Sequence, residues 1–151
     1  MGASKPGTAA FTVEIVTGRL VEARVYSLVT REDADAYSAA LAATVSTLPE
    51  GTTGVLCADH RFAPVYPQPV TDRLVELFQY MNERLERVAI IVNPEAATLY
   101  MQLGRIAREA NNAARRVFRD VEPALTHLSA SLVRAEVDRA RTFLTAATVP
   151  D

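Results

Sequence analysis

Phe11, Val13 and Ile15 are separated by Thr12 and Glu14, and an apolar period of two belongs to a strand with one buried face. Thr17-Gly18 follows as a tight turn, and Leu20 to Leu28 reads as a second strand. So short a link makes the two strands antiparallel. Thr30 stands where a helix cap is wanted, with Glu32 and Asp33 near the positive helix end. Ala34, Tyr37, Leu41, Val45 and Leu48 then recur at helical spacing until Pro49-Glu50-Gly51 stops the helix.

Beyond that point short apolar runs and amphipathic stretches take turns. Gly54 to Ala58 is almost wholly apolar, as a central strand covered on both faces must be. A loop from Asp59 to Val70 carries Pro64, Pro67 and Pro69. Leu74, Leu77, Phe78, Met81 and Leu85 predict a helix over 71–85, and Arg87 to Val92 reads as a buried strand. Asn93 is the expected cap of a third helix with Pro94 at its first position, where a missing N–H costs nothing. Leu99, Leu103, Ile106 and Ala110 form its inner stripe, and Asn111-Asn112 ends it.

Arg116 to Arg119 predicts a last strand around Val117 and Phe118. Asp120 to Ala146 follows as one long helix or two abutting ones, with Leu125, Leu128, Leu132, Ala135 and Leu144 facing inward. The order is ββαβαβαβα if the Val117 strand forms, and ββαβαβαα if it does not; the first is favoured. Strands linked through helices lie parallel, so the sheet is expected to be mixed, mostly parallel, with an antiparallel first strand and flanking helices.

The chain has 151 residues, enough for one domain with a core that needs no disulfide or metal staple. Its net charge of −2 offers no global basic field for nucleic acid or an anionic membrane. Arginine supplies every basic residue except Lys5, and with the alanine-rich helices this usage points to a GC-rich bacterial genome. The single cysteine, Cys57, forms no internal disulfide, which fits a reducing compartment. No apolar run reaches the roughly 18 residues of a membrane span. The polar start, Met1 to Ala10, reads as a disordered arm ahead of a domain over 11–148. A cytoplasmic, soluble protein is expected.

Open parallel sheets gather functional groups at the carboxyl ends of their strands. That rim is expected to hold Asp59, His60 and Arg61, then Asn93, then Arg119 and Asp120. A purely structural reading fits the same residues: Asn93 and Asp120 as helix caps, and Asp59 paired with Arg61. Cys57 and His60 sit an odd number apart and should face opposite sides of the sheet, so they make a poor nucleophile pair. His60 and His127 lack metal-ligand spacing, no cofactor is implied, and no glycine-rich phosphate cradle occurs. Arginines 105, 108, 115, 116 and 119 could make one local positive strip; a solvated face paired with Glu109, Asp120 and Glu122 is the favoured reading. The loop with Phe62, Tyr66 and its prolines is stiff and aromatic, which suits docking; it serves equally as a lid on the sheet edge. As a lid it would roof an apolar pocket near Tyr66, Met81, Asn93 and Tyr100.

Three stretches carry a family resemblance: Arg87-Val88-Ala89-Ile90-Ile91-Val92, Arg116-Val117-Phe118-Arg119-Asp120 and Glu122-Pro123-Ala124-Leu125-Thr126-His127-Leu128. With the opening hairpin and the βα units that follow, they resemble the STAS fold and its SpoIIAA-like, or STAS-like, relatives. The resemblance implies a small regulatory or scaffold module that docks on a protein, often as a homodimer, in some members with a lipid or apolar ligand. Regulatory members of that family are switched by phosphorylation of a Ser or Thr between the third strand and the second helix. Here no serine lies between Ser46 and Ser129, and Thr71 is the one hydroxyl at the expected helix start, so that switch is expected to be absent. The final helix runs past the family's usual end with Leu132, Val133, Val137, Phe143 and Leu144, a surplus that a symmetric dimer would cover. The expected function is therefore non-enzymatic docking through the loop from Asp59 to Thr71, with Asp59, His60, Arg61, Phe62, Tyr66 and Thr71 as its contacts, and through the second helix. The alternative is a carrier for an apolar ligand.

Overall fold

A computed structural model of the chain describes residues 9–110 and 112–146. The expected arm over residues 1–8 and the end of the last helix at residues 147–148 lie outside the described residues. Five strands form one sheet in the order β1-β2-β3-β4-β5. They are β1 (Phe11–Ile15), β2 (Leu20–Val25), β3 (Gly54–Asp59), β4 (Leu85–Ile91) and β5 (Arg115–Phe118). β1 and β2 pair antiparallel, with Phe11 opposite Val25 and Ile15 opposite Val21; the other neighbours are parallel. The Ala10 carbonyl accepts from the Tyr26 and Ser27 amides, so the hairpin ladder already begins inside the expected arm.

Among the described residues five helices cover the sheet: α1 (Arg31–Val45), α2 (Gln68–Tyr80), α3 (Ala97–Glu109), α4 (Val121–Ser129) and α5 (Arg134–Ala146). Strand alternation sorts the apolar residues into two cores. Val21, Ala23, Leu56, Ala58, Val88 and Ile90 face the layer of α1, α2 and α3. Leu20, Val55, Cys57, Ala89 and Ile91 face α4 and α5. The α/β class and the mixed sheet are those read from the pattern. Among the described residues no helix is long and apolar enough to cross a membrane.

Local chemistry explains the ends of the elements. Thr30 caps α1 in a complete capping box: its side chain accepts from the Asp33 amide, and Asp33 accepts from the Thr30 amide. Such a box stabilises a helix by about 1 kcal/mol. α2 starts three residues ahead of the expected Thr71, because Pro69 fits the first turn, and it stops at Tyr80. Leu85 sits four residues after Met81 yet opens β4; both side chains are wholly buried, so apolar spacing alone does not separate helix end from strand start.

Asn93 does not cap α3. Its Oδ1 accepts from the Glu95 amide at 2.9 Å, closing a turn, and the helix starts at Ala97 behind Ala96. An asparagine bonded two residues ahead makes a turn, and Pro94 suits a turn as well as a first helical position. Asp120 does precede α4, without a side-chain cap bond.

The long terminal stretch breaks into two helices, and the break resets the helical phase. Ala135 is therefore exposed and Glu136 buried in its place. Leu132, Phe143 and Leu144 are buried and Val137 is packed against the same cluster of this chain, leaving Val133 exposed. Packing within the domain thus absorbs most of the apolar surplus that suggested a second copy.

Candidate functional site

β3 carries Asp59 to the carboxyl edge of the sheet, on the face covered by α5 and directly beside Arg24 of β2. The Asp59 carboxylate is wholly buried. It accepts from Arg24 Nε at 2.9 Å, and from the Arg61 backbone amide, Nε and Nη2 at 3.0, 2.9 and 3.0 Å. The two guanidiniums then reach the last turn of α5: Arg24 Nη2 donates to the Phe143 carbonyl at 2.6 Å, and Arg61 Nη2 to the Leu144 carbonyl at 2.7 Å. Cations at a helix carboxyl end meet its unpaired carbonyls and negative dipole end. Arg24 also lies 4.1 Å from the centre of the Phe143 ring. Burial alone would raise the Asp59 carboxyl, but its bonds to Arg61 and Arg24 outweigh that and hold it below the ordinary range. Asp59 and Arg61 therefore fasten α5 to the sheet.

His60 points the opposite way, into the core under α1–α3, because consecutive strand residues alternate. Its Nδ1 lies 2.7 Å from the Tyr66 hydroxyl, and Nε2 has no partner among the described residues. Burial lowers the imidazole to about 4, so the ring is neutral at pH 7. Tyr66 is buried too, and its backbone is gripped by Gln102 of α3. Gln102 Oε1 accepts from the Tyr66 amide, and Gln102 Nε2 donates to the Tyr66 carbonyl, both at 2.9 Å. One side-chain amide thus satisfies both polar groups of a loop residue, as a strand neighbour would. The loop is a lid folded onto the sheet edge. Phe62, half-buried, packs 5.4 Å from the Tyr26 ring and within 6.0 Å of Arg24 and Arg61.

The residues expected to share a pocket are dispersed. α2 runs antiparallel to the strands, so its end lies roughly 20 Å from its start. Met81, just past that end, bonds to the Leu85 amide at the amino edge of the sheet and is wholly buried. Tyr66 is core, Asn93 closes its turn, and Tyr100 is half-buried at the flank of α3 with the Arg119 guanidinium 4.3 Å from its ring centre. Tyr66, Met81, Asn93 and Tyr100 therefore do not line one cavity.

Thr71 lies within the first turns of α2, its hydroxyl donating to the Gln68 carbonyl at 2.9 Å. It lines a groove of about 720 Å³ between α2 and α3, with Asp72, Val75, Met101 and Arg105. The walls of this groove come from helices about thirty residues apart, so no local spacing in the sequence assembles it. The signal available was Met101, an apolar residue outside the Leu99–Leu103–Ile106 stripe and 70% exposed.

Cys57 faces α4 and α5 in an apolar setting; burial, with Asp59 and Glu22 nearby, pushes its thiol up. His127 is buried with both ring nitrogens used: Nε2 lies 3.1 and 3.0 Å from the Val88 and Ala114 carbonyls, and Nδ1 3.1 Å from Arg87 Nη1. It is a neutral brace between α4, β4 and the start of β5. No His, Cys, Asp and Glu group among the described residues has the grouping of a metal site. No family model, curated protein or solved structure matches this chain.

Proposed function

We propose that the chain is a STAS-like module that acts by docking on a partner protein, without catalysis of its own. The resemblance of its opening hairpin and following βα units, and of the Arg116–Asp120 step, to that family supports this reading. The geometry supports it from another side. Asp59, Arg61, His60 and Tyr66, the groups with the chemistry of a site, bond to the chain's own α5 and lid. An open parallel sheet holds ligands where its strand order reverses, and this order runs from β1 to β5 without a reversal.

The α2–α3 groove is the surface left for contact, and it carries the proposal. Val75 and Met101 offer apolar footing, flanked by Asp72 on one helix and Arg105 on the other. A partner helix lying in such a groove would place apolar side chains on its floor and opposite charges on its rims. Docking here keeps Thr71 and the second helix of the expected surface, leaves out Asp59–Phe62 and adds the outward face of α3.

The test is affinity capture from the native host with the wild-type chain, Met101→Glu and Asp72→Arg. Both substitutions are at exposed positions, so circular dichroism should be unchanged. A protein retained by the wild type and lost from both variants supports groove docking. Equal recovery on all three contradicts it.

A further inference from the structure

β1 and β5 are the two edges of the sheet, and edge strands are ordinarily guarded by charge, proline or a bulge. β5 is guarded: Arg116 is exposed on it, and Arg115 turns a charge inward. β1 is not. Its residues, Phe11-Thr12-Val13-Glu14-Ile15, include no proline and no basic side chain, and they pair with β2 without a register shift.

The ladder decides which backbone groups face outward. The Tyr26 amide donates to the Ala10 carbonyl at 2.8 Å, one step before the pairing of Phe11 with Val25. Bonded and non-bonded positions alternate along an antiparallel pair. Thr12 and Glu14 therefore bond to β2, whereas Phe11, Val13 and Ile15 turn their N–H and C=O groups to the open edge. No turn or loop bond among the described residues uses these groups. The side chains of the same three residues are half-buried on the α1 face, where the Phe11 ring meets Tyr37 at 5.5 Å.

We infer that β1 pairs antiparallel with the β1 strand of a second copy of this chain, about a two-fold axis at Val13. That register pairs every outward group. Val13 exchanges both its bonds with its own counterpart, and Phe11 exchanges both with Ile15 of the other copy, once on each side of the axis. A two-fold interface requires such self-complementarity. On one face Val13 meets Val13 and Phe11 meets Ile15; on the other each Glu14 faces Thr12, so no like charges stand directly opposite. The far edge is left alone: α3 packs on β5, so both α2–α3 grooves stay open and the pairing does not depend on docking there.

Sedimentation of the full chain over a rising concentration series reads the association. A dimer is expected, at least tenfold weaker in Val13→Pro, which removes an outward N–H and spares the bonds to β2. The register is read with Thr12→Cys/Glu14→Cys, two exposed positions, while the native Cys57 is buried and does not compete. Mild oxidation should link this double variant into a covalent dimer and leave Thr12→Cys alone largely unlinked. Should circular dichroism show Val13→Pro unfolded, the cysteine pair carries the test. A monomer at every concentration overturns the pairing, as does unchanged association in a folded Val13→Pro or a cysteine pair that stays unlinked. Equal linking of the single and double variants overturns the register at Val13.

Discussion

Asp59→Ala removes the acceptor around which the carboxyl edge is built. The variant strands two guanidiniums that the wild type holds at 2.9 Å, their side chains only 14% and 10% exposed. It also loosens the two bonds those guanidiniums make to α5. Breaking one partner out of a buried ion pair costs about 3–5 kcal/mol, because the remaining charge stays uncompensated. For a domain of this size that is a fall in Tm of roughly 10–15 °C, and a large part of the ~5–15 kcal/mol that holds a typical domain folded. Urea unfolding followed by circular dichroism measures it. Adding Arg61→Ala should recover part of the loss, since one of the two stranded cations leaves with it. The pH dependence has a definite sign. The Asp59 carboxyl is held below its ordinary value near 3.8, so its contribution is present above that pH and is lost as pH falls below it. Asp59→Asn should therefore flatten the acid limb of the stability curve. A loss under about 1 kcal/mol, the scale of exposed pairs, would refute the clasp.

His60 is held neutral, lowered from 6.5 to about 4; its contribution is complete above pH 6.5 and drains away as pH falls toward 4. The loss is on the order of 3 kcal/mol, and His60→Phe should lack this slope; an identical slope in both chains contradicts the buried neutral ring. Gly18 has φ +58°, and a Cβ there would stand 2.0 Å from Glu136 Oε2. Gly18→Ala should cost roughly 1–3 kcal/mol in urea unfolding, less when Glu136→Ala is added; an unshifted midpoint contradicts that close approach. Cys57 should resist a thiol reagent in native buffer and react fully in urea, and rapid native labelling would show the thiol accessible.

Much of the fold was legible because apolar spacing reports burial directly. The β1 alternation, the Thr30 cap and the Leu99–Leu103–Ile106 stripe each state which face is covered. The ends of α2 and α3 were not, since Pro69 and Pro94 suit a turn and a first helical turn alike. The exposure of Ala135 was hidden for a related reason: a break at residues 130–133 shifts the phase, and no single residue announces it.

The candidate site divides along the same line. That Asp59 pairs with Arg61 and that Cys57 and His60 face apart followed from spacing along one strand. The roles of Arg24, Gln102, Phe143 and Glu136 did not, because each partner lies more than thirty positions away. Glu136 illustrates the point: its carboxylate is buried, accepting from the Arg19 amide at 2.8 Å and from the Val133 amide at 2.9 Å. In sequence it is indistinguishable from a solvated helical glutamate. Long-range polar contacts leave no local period to read.

Rim residues 59–66 serve the domain's own packing, and the outward faces of α2 and α3 are the surface proposed to meet the partner. Hydrogen exchange on the complex with the captured protein tests it most directly. New protection is expected only at residues 68–80 and 97–109, with exchange at residues 59–66 unchanged. Protection gained at residues 59–66 alone, with α2 and α3 as open as in the free chain, would contradict it.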